Sequence, residues 1–126
     1  MLNIGENRMS LYYAQTHEWA ETEGNLATVG ISDHAQHELG DIVFIELPEK
    51  GKKVVAGKFL CEVESVKAVS EIYSPVTGTV VEVNEELESS PEKINEDARA
   101  NWICKIEFER VPESLMSEKE YLATLA

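Results

Sequence analysis

Strand-like runs cut short by turn residues recur along most of this chain, and few stretches keep a helical period. Leu26-Ala27-Thr28-Val29-Gly30-Ile31, Lys58-Phe59-Leu60-Cys61-Glu62-Val63-Glu64 and Thr79-Val80-Val81-Glu82-Val83-Asn84 carry β-branched or aromatic side chains, which suit a pleated, half-buried surface. Between such runs lie Glu23-Gly24-Asn25, the charged turn Glu49-Lys50-Gly51-Lys52-Lys53, and Ser74-Pro75-Val76-Thr77-Gly78, all rich in turn-forming residues. A chain punctuated this way buries its apolar side chains by pairing strands, so a mainly β fold is expected.

Shorter strand pieces are expected at Leu11-Tyr12-Tyr13 and Glu18-Trp19-Ala20-Glu21. Asp41-Ile42-Val43-Phe44-Ile45-Glu46-Leu47 reads as a central strand stopped by Pro48, because proline cannot extend a ladder. Phe59, Cys61 and Val63 should share one face, and Trp102 to Phe108 alternates as a closing strand. Helices are few. Ser32 and Asp33, with Gln36 three beyond Asp33 and Leu39-Gly40 as the stop, predict a short helix over Asp33 to Leu39. Ser117 and Glu120 form a second capping box that opens a C-terminal helix through Leu125. Ser90-Pro91 points to short helical turns between Asn84 and Asn95. Gly40-Asp41-Ile42-Val43-Phe44-Ile45 and Gly78-Thr79-Val80-Val81-Glu82-Val83 share the pattern Gly-x-aliphatic-Val-x-aliphatic, suggesting two related halves in a flattened sandwich.

At 126 residues the chain fits one domain, expected over 11–126 behind a flexible extension at 1–10. The 24 acidic against 11 basic residues give a formal net charge of -13, which repels nucleic acid and anionic lipid and favours partners with basic patches. The same acidity also serves solubility. No apolar run approaches the roughly 20 residues of a membrane span, and Met1 to Ser10 resembles neither a signal nor a transit peptide. A cytoplasmic bacterial protein is expected. Cys61 and Cys104 lack Cys-x-x-Cys or Cys/His spacing, so no metal site is expected and both should be buried apolar fillers.

The link Glu64-Ser65-Val66-Lys67-Ala68 joins Lys58–Glu64 to Ala68-Val69-Ser70-Glu71-Ile72-Tyr73. It lacks the Asn-Gly or Asp-Gly pair that tight hairpins prefer, so turn stability alone does not explain its residues. A valine beside a lysine at a solvent tip makes sense where an enzyme grips the turn and reaches the amine. Taken by itself, the lysine reads as a plain surface residue, since lysine is common at hairpin tips.

The surrounding residues remove that ambiguity, because Glu64 to Ala68, Ser70-Glu71 and Tyr73-Ser74-Pro75-Val76-Thr77-Gly78 resemble the lipoylation segment of glycine cleavage H proteins. Tyr13-x-x-x-His17-Glu18-Trp19, the stretch from Ala27 to Gln36 and the stretch from Leu39 to Pro48 resemble the same family in the same order. The resemblance runs from about Leu11 to Leu125. Biotin carriers typically set the lysine between methionines, and lipoyl domains of oxo-acid dehydrogenases put Asp before it; here Val66 and Ala68 flank Lys67.

The resemblance implies a flattened β-sandwich or barrel of the biotinyl/lipoyl-carrier type and a carrier without catalytic residues. Lipoic acid would be joined by an amide to Lys67, on an arm of roughly 14 Å, with Glu64, Ser65, Val66 and Ala68 as the turn recognised by a lipoate ligase or octanoyl/lipoyl transferase. The decarboxylating glycine dehydrogenase would load an aminomethyl group onto a sulfur. Aminomethyltransferase would then pass its carbon to tetrahydrofolate, and dihydrolipoyl dehydrogenase would reoxidise the dithiol. Thr16, Glu18 and Glu71 are implied to line a cleft for the loaded arm's ammonium end, although without that resemblance both glutamates read as ordinary surface carboxylates in an acidic protein. His34 is a further cleft candidate that equally suits a helix-capping role. A monomer is expected, because the carrier must enter several active sites.

One stretch departs from the family: Asn95-Glu96-Asp97-Ala98-Arg99-Ala100-Asn101-Trp102 lacks the Pro-Tyr pair and glycine usual before the tryptophan. If that loop docks partners, the alternative is an H-like lipoyl relay or regulatory lipoylated protein. An unmodified interaction module is another reading. A small enzyme using Cys61 or Cys104 as nucleophile is a third, opposed by the lack of a nearby histidine or helix start.

Overall fold

A computed structural model describes residues 9–126. Residues 1–8 of the expected extension lie outside that range, and Ser10 already belongs to the first strand. The strands are β1 (Ser10–Tyr13), β2 (Glu18–Glu23), β3 (Leu26–Ile31), β4 (Ile42–Glu46), β5 (Lys53–Val54), β6 (Phe59–Ser65), β7 (Val69–Tyr73), β8 (Gly78–Val83), β9 (Cys104–Phe108) and β10 (Met116–Ser117). The helices are α1 (Asp33–Leu39), α2 (Glu86–Ser89), α3 (Lys93–Glu96) and α4 (Glu118–Thr124).

The strands form two sheets, one ordered β10-β1-β2-β3-β9-β8-β5 and the other β4-β6-β7. Both sheets end in open edges, so the architecture is a flattened sandwich and not a closed barrel. Inward side chains of the larger sheet, including Ala27, Val29, Val80, Cys104 and Ile106, meet Ile42, Ile45, Cys61, Val63 and Ile72 of the smaller one in a single buried cluster. Both cysteines are free and buried within it, as apolar fillers would be. A second cluster of Tyr13, Trp19 and Tyr121 lies beneath α4, with the Tyr13 and Tyr121 rings stacked at 4.3 Å. Trp19 and Ala20 are successive residues of β2 and so point to opposite faces. They enter different clusters, which explains why a short strand is buried on both sides.

The expected helices form, and α4 carries the full capping box: Ser117 accepts from the Glu120 amide at 3.1 Å while Glu120 accepts from the Ser117 amide at 2.9 Å. At α1 the cap sits one residue earlier than the sequence pattern suggests. The Ser32 hydroxyl accepts from the Ala35 amide at 3.0 Å, whereas Gln36 donates to the Asp33 side chain. The stretch 84–95 holds α2 and the start of α3, the latter beginning with a turn in which the Lys93 amide donates to the Ser90 carbonyl.

Three strand expectations change. The segment expected as a central strand becomes β4, at the edge of the smaller sheet, with a register shift between Ile42 and Phe44 that leaves Val43 and Phe44 about half exposed. β-branched content marks a strand but does not distinguish edge from centre. Phe59 does not share a face with Cys61 and Val63: a shift between Phe59 and Cys61 turns Phe59 outward while the other two are buried. The closing strand lies inside the larger sheet, where β9 pairs with both β3 and β8. The two Gly-x-aliphatic-Val segments become β4 and β8, in opposite sheets. Their glycines serve different needs. Gly40 ends α1 at φ 76°, and a Cβ on Gly78 would lie 2.0 Å from the Glu107 carbonyl oxygen.

The unusual stretch before Trp102 is an ordered, self-stitched loop. Asp97 accepts from the Arg99 and Ala100 amides, and the Asn101 side chain donates to the carbonyls of Lys93 and Asp97. Arg99 stacks over the Trp19 ring at 4.4 Å and reaches Glu21 at 3.5 Å.

Candidate functional site

Lys67 stands at the tip of the β6–β7 hairpin, between Val66 and Ala68, with Val66 66% exposed. The turn needs no Asn-Gly pair because Ser65 supplies the missing order. Its hydroxyl accepts from the Lys67 and Ala68 amides at 3.2 and 3.1 Å, while the Ser65 amide donates to the Ala68 carbonyl at 2.8 Å. A serine closing a turn through its side chain is a local alternative to a backbone turn. The tip also leans on the segment after α1, where the Val66 amide donates to the Asp41 carbonyl at 2.9 Å. The Lys67 stem passes Gly40 so closely that a Cβ there would sit 3.1 Å from Cε. Glu64, facing Val69 across the ladder, completes the expected turn.

Along the same hairpin a cleft of about 270 Å³ opens between β7 and α1. All four sequence-expected cleft residues, Thr16, Glu18, His34 and Glu71, line it. Glu71 is four residues beyond Lys67, roughly 13 Å of extended strand. That distance is within reach of an arm built on the lysine.

Glu18 is the most constrained group in the cleft, only 2% exposed although a carboxylate. Thr16 Oγ1 donates to one of its oxygens, and the Tyr73 amide donates to the other at 2.9 Å. These bonds favour the ionised form, but burial outweighs them and pushes its pKa up to about 7. Glu71 lies at the exposed rim, accepting from the Tyr73 hydroxyl at 2.9 Å.

Three polar residues that line the cleft, His17, Glu38 and Ser70, are not among the sequence-expected ones. Two of them were within reach of the pattern: Glu38 is one helical turn beyond His34 and so shares its face, and His17 directly precedes Glu18. His17 adopts φ 80°, a left-handed conformation unusual outside glycine. Its Nδ1 lies 2.6 Å from the Tyr121 hydroxyl, which in turn lies 2.8 Å from Ser32 Oγ. Burial and then the neighbouring His34, whose ring centre is 4.9 Å away, lower the pKa of His17. Lowering favours the neutral imidazole at His17, and the carboxyl side chains of Glu18, Glu38 and Glu71 line the same cleft. Such a lining complements a cation.

Neither cysteine suits a nucleophile. Burial pushes the Cys104 thiol up to about 12 and the Cys61 thiol higher still, far from the exposed, electropositive setting that activates a thiolate.

A sandwich that presents one lysine on a stapled hairpin tip, beside a cleft lined by carboxyl side chains, has the architecture of a carrier protein. The chain belongs to the glycine cleavage H-protein family, whose model matches residues 11–126. It is 54% identical to a probable glycine cleavage system H protein of Pyrococcus horikoshii over 134 residues, covering 99% of this chain and 100% of that one. A glycine cleavage system H protein of Rubrobacter xylanophilus is 53% identical over 123 residues, 97% of each chain. The crystal structure of a glycine cleavage system H protein from Mycobacterium marinum superposes with a TM-score of 0.85 at 35% identity, covering 92% of this chain and 96% of that one.

Proposed function

We infer that this chain is the lipoyl carrier of the glycine cleavage system and that Lys67 bears the lipoyl group. The observation that carries the reading is the joint placement of Lys67 on an ordered, exposed tip and of the acidic cleft one arm's length along the same hairpin. Amide formation replaces an ammonium with a neutral link, and the arm gives its dithiolane a high local concentration at each enzyme that docks. Glu64, Ser65, Val66 and Ala68 form the turn that a lipoate ligase or octanoyl/lipoyl transferase grips.

The carrier performs no bond chemistry of its own. The decarboxylating glycine dehydrogenase loads the aminomethyl group, aminomethyltransferase removes its carbon, and dihydrolipoyl dehydrogenase reoxidises the dithiol. Between those steps the cleft shelters the loaded arm, with Thr16, Glu18 and Glu71 receiving its ammonium end and His34 standing at the α1 wall. A cation there favours the ionised form of Glu18, offsetting the burial that raises its pKa. We assign the work to one domain over 11–126, acting as a monomer. Free cysteines accord with a reducing cytoplasm, and among the described residues no helix is long and apolar enough to cross a membrane.

The relay reading is not favoured, because relatives matched over nearly their whole length carry the glycine cleavage name. The test is reconstitution: lipoylated chain added to the three partner enzymes should support glycine-dependent carbon dioxide release. Release no higher than in the carrier-free control would contradict the assignment.

A further inference from the structure

The tip that carries Lys67 is braced from a residue 28 positions later in the chain. Asn95, in α3, accepts from the Ile42 amide through Oδ1 at 2.9 Å. Its Nδ2 donates to the Gly40 carbonyl and to Gln36 Oε1, both at 2.9 Å. One side chain thus joins the last turn of α1, the linker after it and the start of β4. The neighbouring Ile94 is fully buried, which anchors α3 in the core and makes Asn95 a fixed point.

The Ile42 amide and the Asp41 carbonyl belong to one planar trans peptide and point in opposite directions. Asn95 holds the amide side, and the Val66 amide, adjoining Lys67, donates to the carbonyl side at 2.9 Å. A continuous chain therefore runs from Asn95 Oδ1 through the Asp41–Ile42 peptide to the tip, and each bond in such a chain polarises the next. The second grip, on the Gly40 carbonyl, fixes the glycine over which the Lys67 stem passes. Within the tip Ser65 sets the turn's shape, but its bonds are all local. Orientation relative to the body of the protein comes through Asp41 and the β4 pairing.

We propose that Asn95 is a positioning residue for lysine modification, orienting the tip through the Asp41–Ile42 peptide so that Lys67 Nζ meets the modifying enzyme in one geometry. The proposal rests on the lipoyl-lysine reading of Lys67. Asn95→Ala removes every bond. Asn95→Asp keeps the acceptor for Ile42 but sets a carboxylate against the oxygens of Gly40 and Gln36.

The test uses the full-length unmodified chain with a lipoate ligase, lipoate and ATP, and follows lipoylation by intact mass. For Asn95→Ala the expected result is a fall in kcat of about tenfold, the scale of a small misplacement of reacting groups, with KM within about twofold because the turn sequence is intact. Asn95→Asp should fall between it and wild type. An Ile106 variant, to Val or Ala, matched to Asn95→Ala in loss of Tm, should retain the wild-type kcat. Hydrogen exchange gives a readout independent of the ligase: the Val66 amide should exchange faster in Asn95→Ala, while the Ser65 amide, bonded within the tip, should not. Unchanged kcat and Val66 protection, or an equal loss in the Ile106 control, would overturn the proposal. If wild type itself takes no lipoyl group at Lys67, the lipoyl reading fails, and Val66 exchange still decides whether Asn95 positions the tip.

Discussion

At the scale of single residues, two groups carry most of the chemistry and they were not equally readable. Lys67 and its turn stood out from neighbouring residues of the chain, yet the reason the turn is stable became visible only when Ser65 was seen to bond to both following amides. Ser65→Ala should lower stability by about 1 kcal/mol and speed hydrogen exchange at the Lys67 and Ala68 amides; unchanged exchange would remove Ser65 from the turn. Glu18 was readable as a cleft candidate but not as a buried one, since burial depends on strands far apart in sequence. Its folded pKa is raised from the ordinary 4.5 to about 7, so the folded state binds the proton more tightly than the unfolded chain does. The stability this contributes is fully present below about pH 4.5 and is lost as pH rises towards 7. Relative to Glu18→Gln, the wild type should therefore lose on the order of 2–3 kcal/mol between pH 4.5 and 8, measured by denaturant unfolding at each pH. A difference that stays flat with pH would contradict the burial of that carboxylate. Glu18→Gln and Glu71→Gln should each also speed decay of the aminomethyl-loaded arm, and unchanged decay in both would end their assigned role.

At the scale of elements, local signals predicted helix ends better than they predicted strand neighbours. The Ser117 capping box formed as read because all its atoms lie within one turn, whereas the edge position of β4 and the outward turn of Phe59 follow from register shifts that involve distant strands. The α4 helix is more than a terminal cap. Through Tyr121 it touches His17 and the Ser32 cap of α1, so two walls of the cleft share one hydroxyl. Tyr121→Phe should cost about 1–2 kcal/mol in chemical unfolding and raise the nuclear magnetic resonance mobility of the His17 ring. A variant with wild-type stability and an unaltered His17 signal would show that the hydroxyl contributes nothing there.

At the scale of the whole molecule, a mainly β sandwich was readable from punctuated strand runs, but the division into seven and three strands was not. Gly-x-aliphatic-Val repetition suggested two halves, and its copies do fall in opposite sheets, although Gly40 and Gly78 answer different steric demands. The family's usual loop before Trp102 is replaced by one that stitches itself through Asp97 and Asn101 and covers Trp19 with Arg99, so a sequence departure leaves the surrounding fold ordered. The larger sheet and the buried cluster form a stiff base for the hairpin, and the function assigned here needs that base to present one amine. Intact mass of the chain produced in lipoate-competent cells, with peptide mapping, tests this most directly. One lipoyl increment is expected, located on Lys67 and absent from Lys67→Ala; an unmodified chain, or an increment that persists in Lys67→Ala, would contradict the assignment of Lys67 as the carrier lysine.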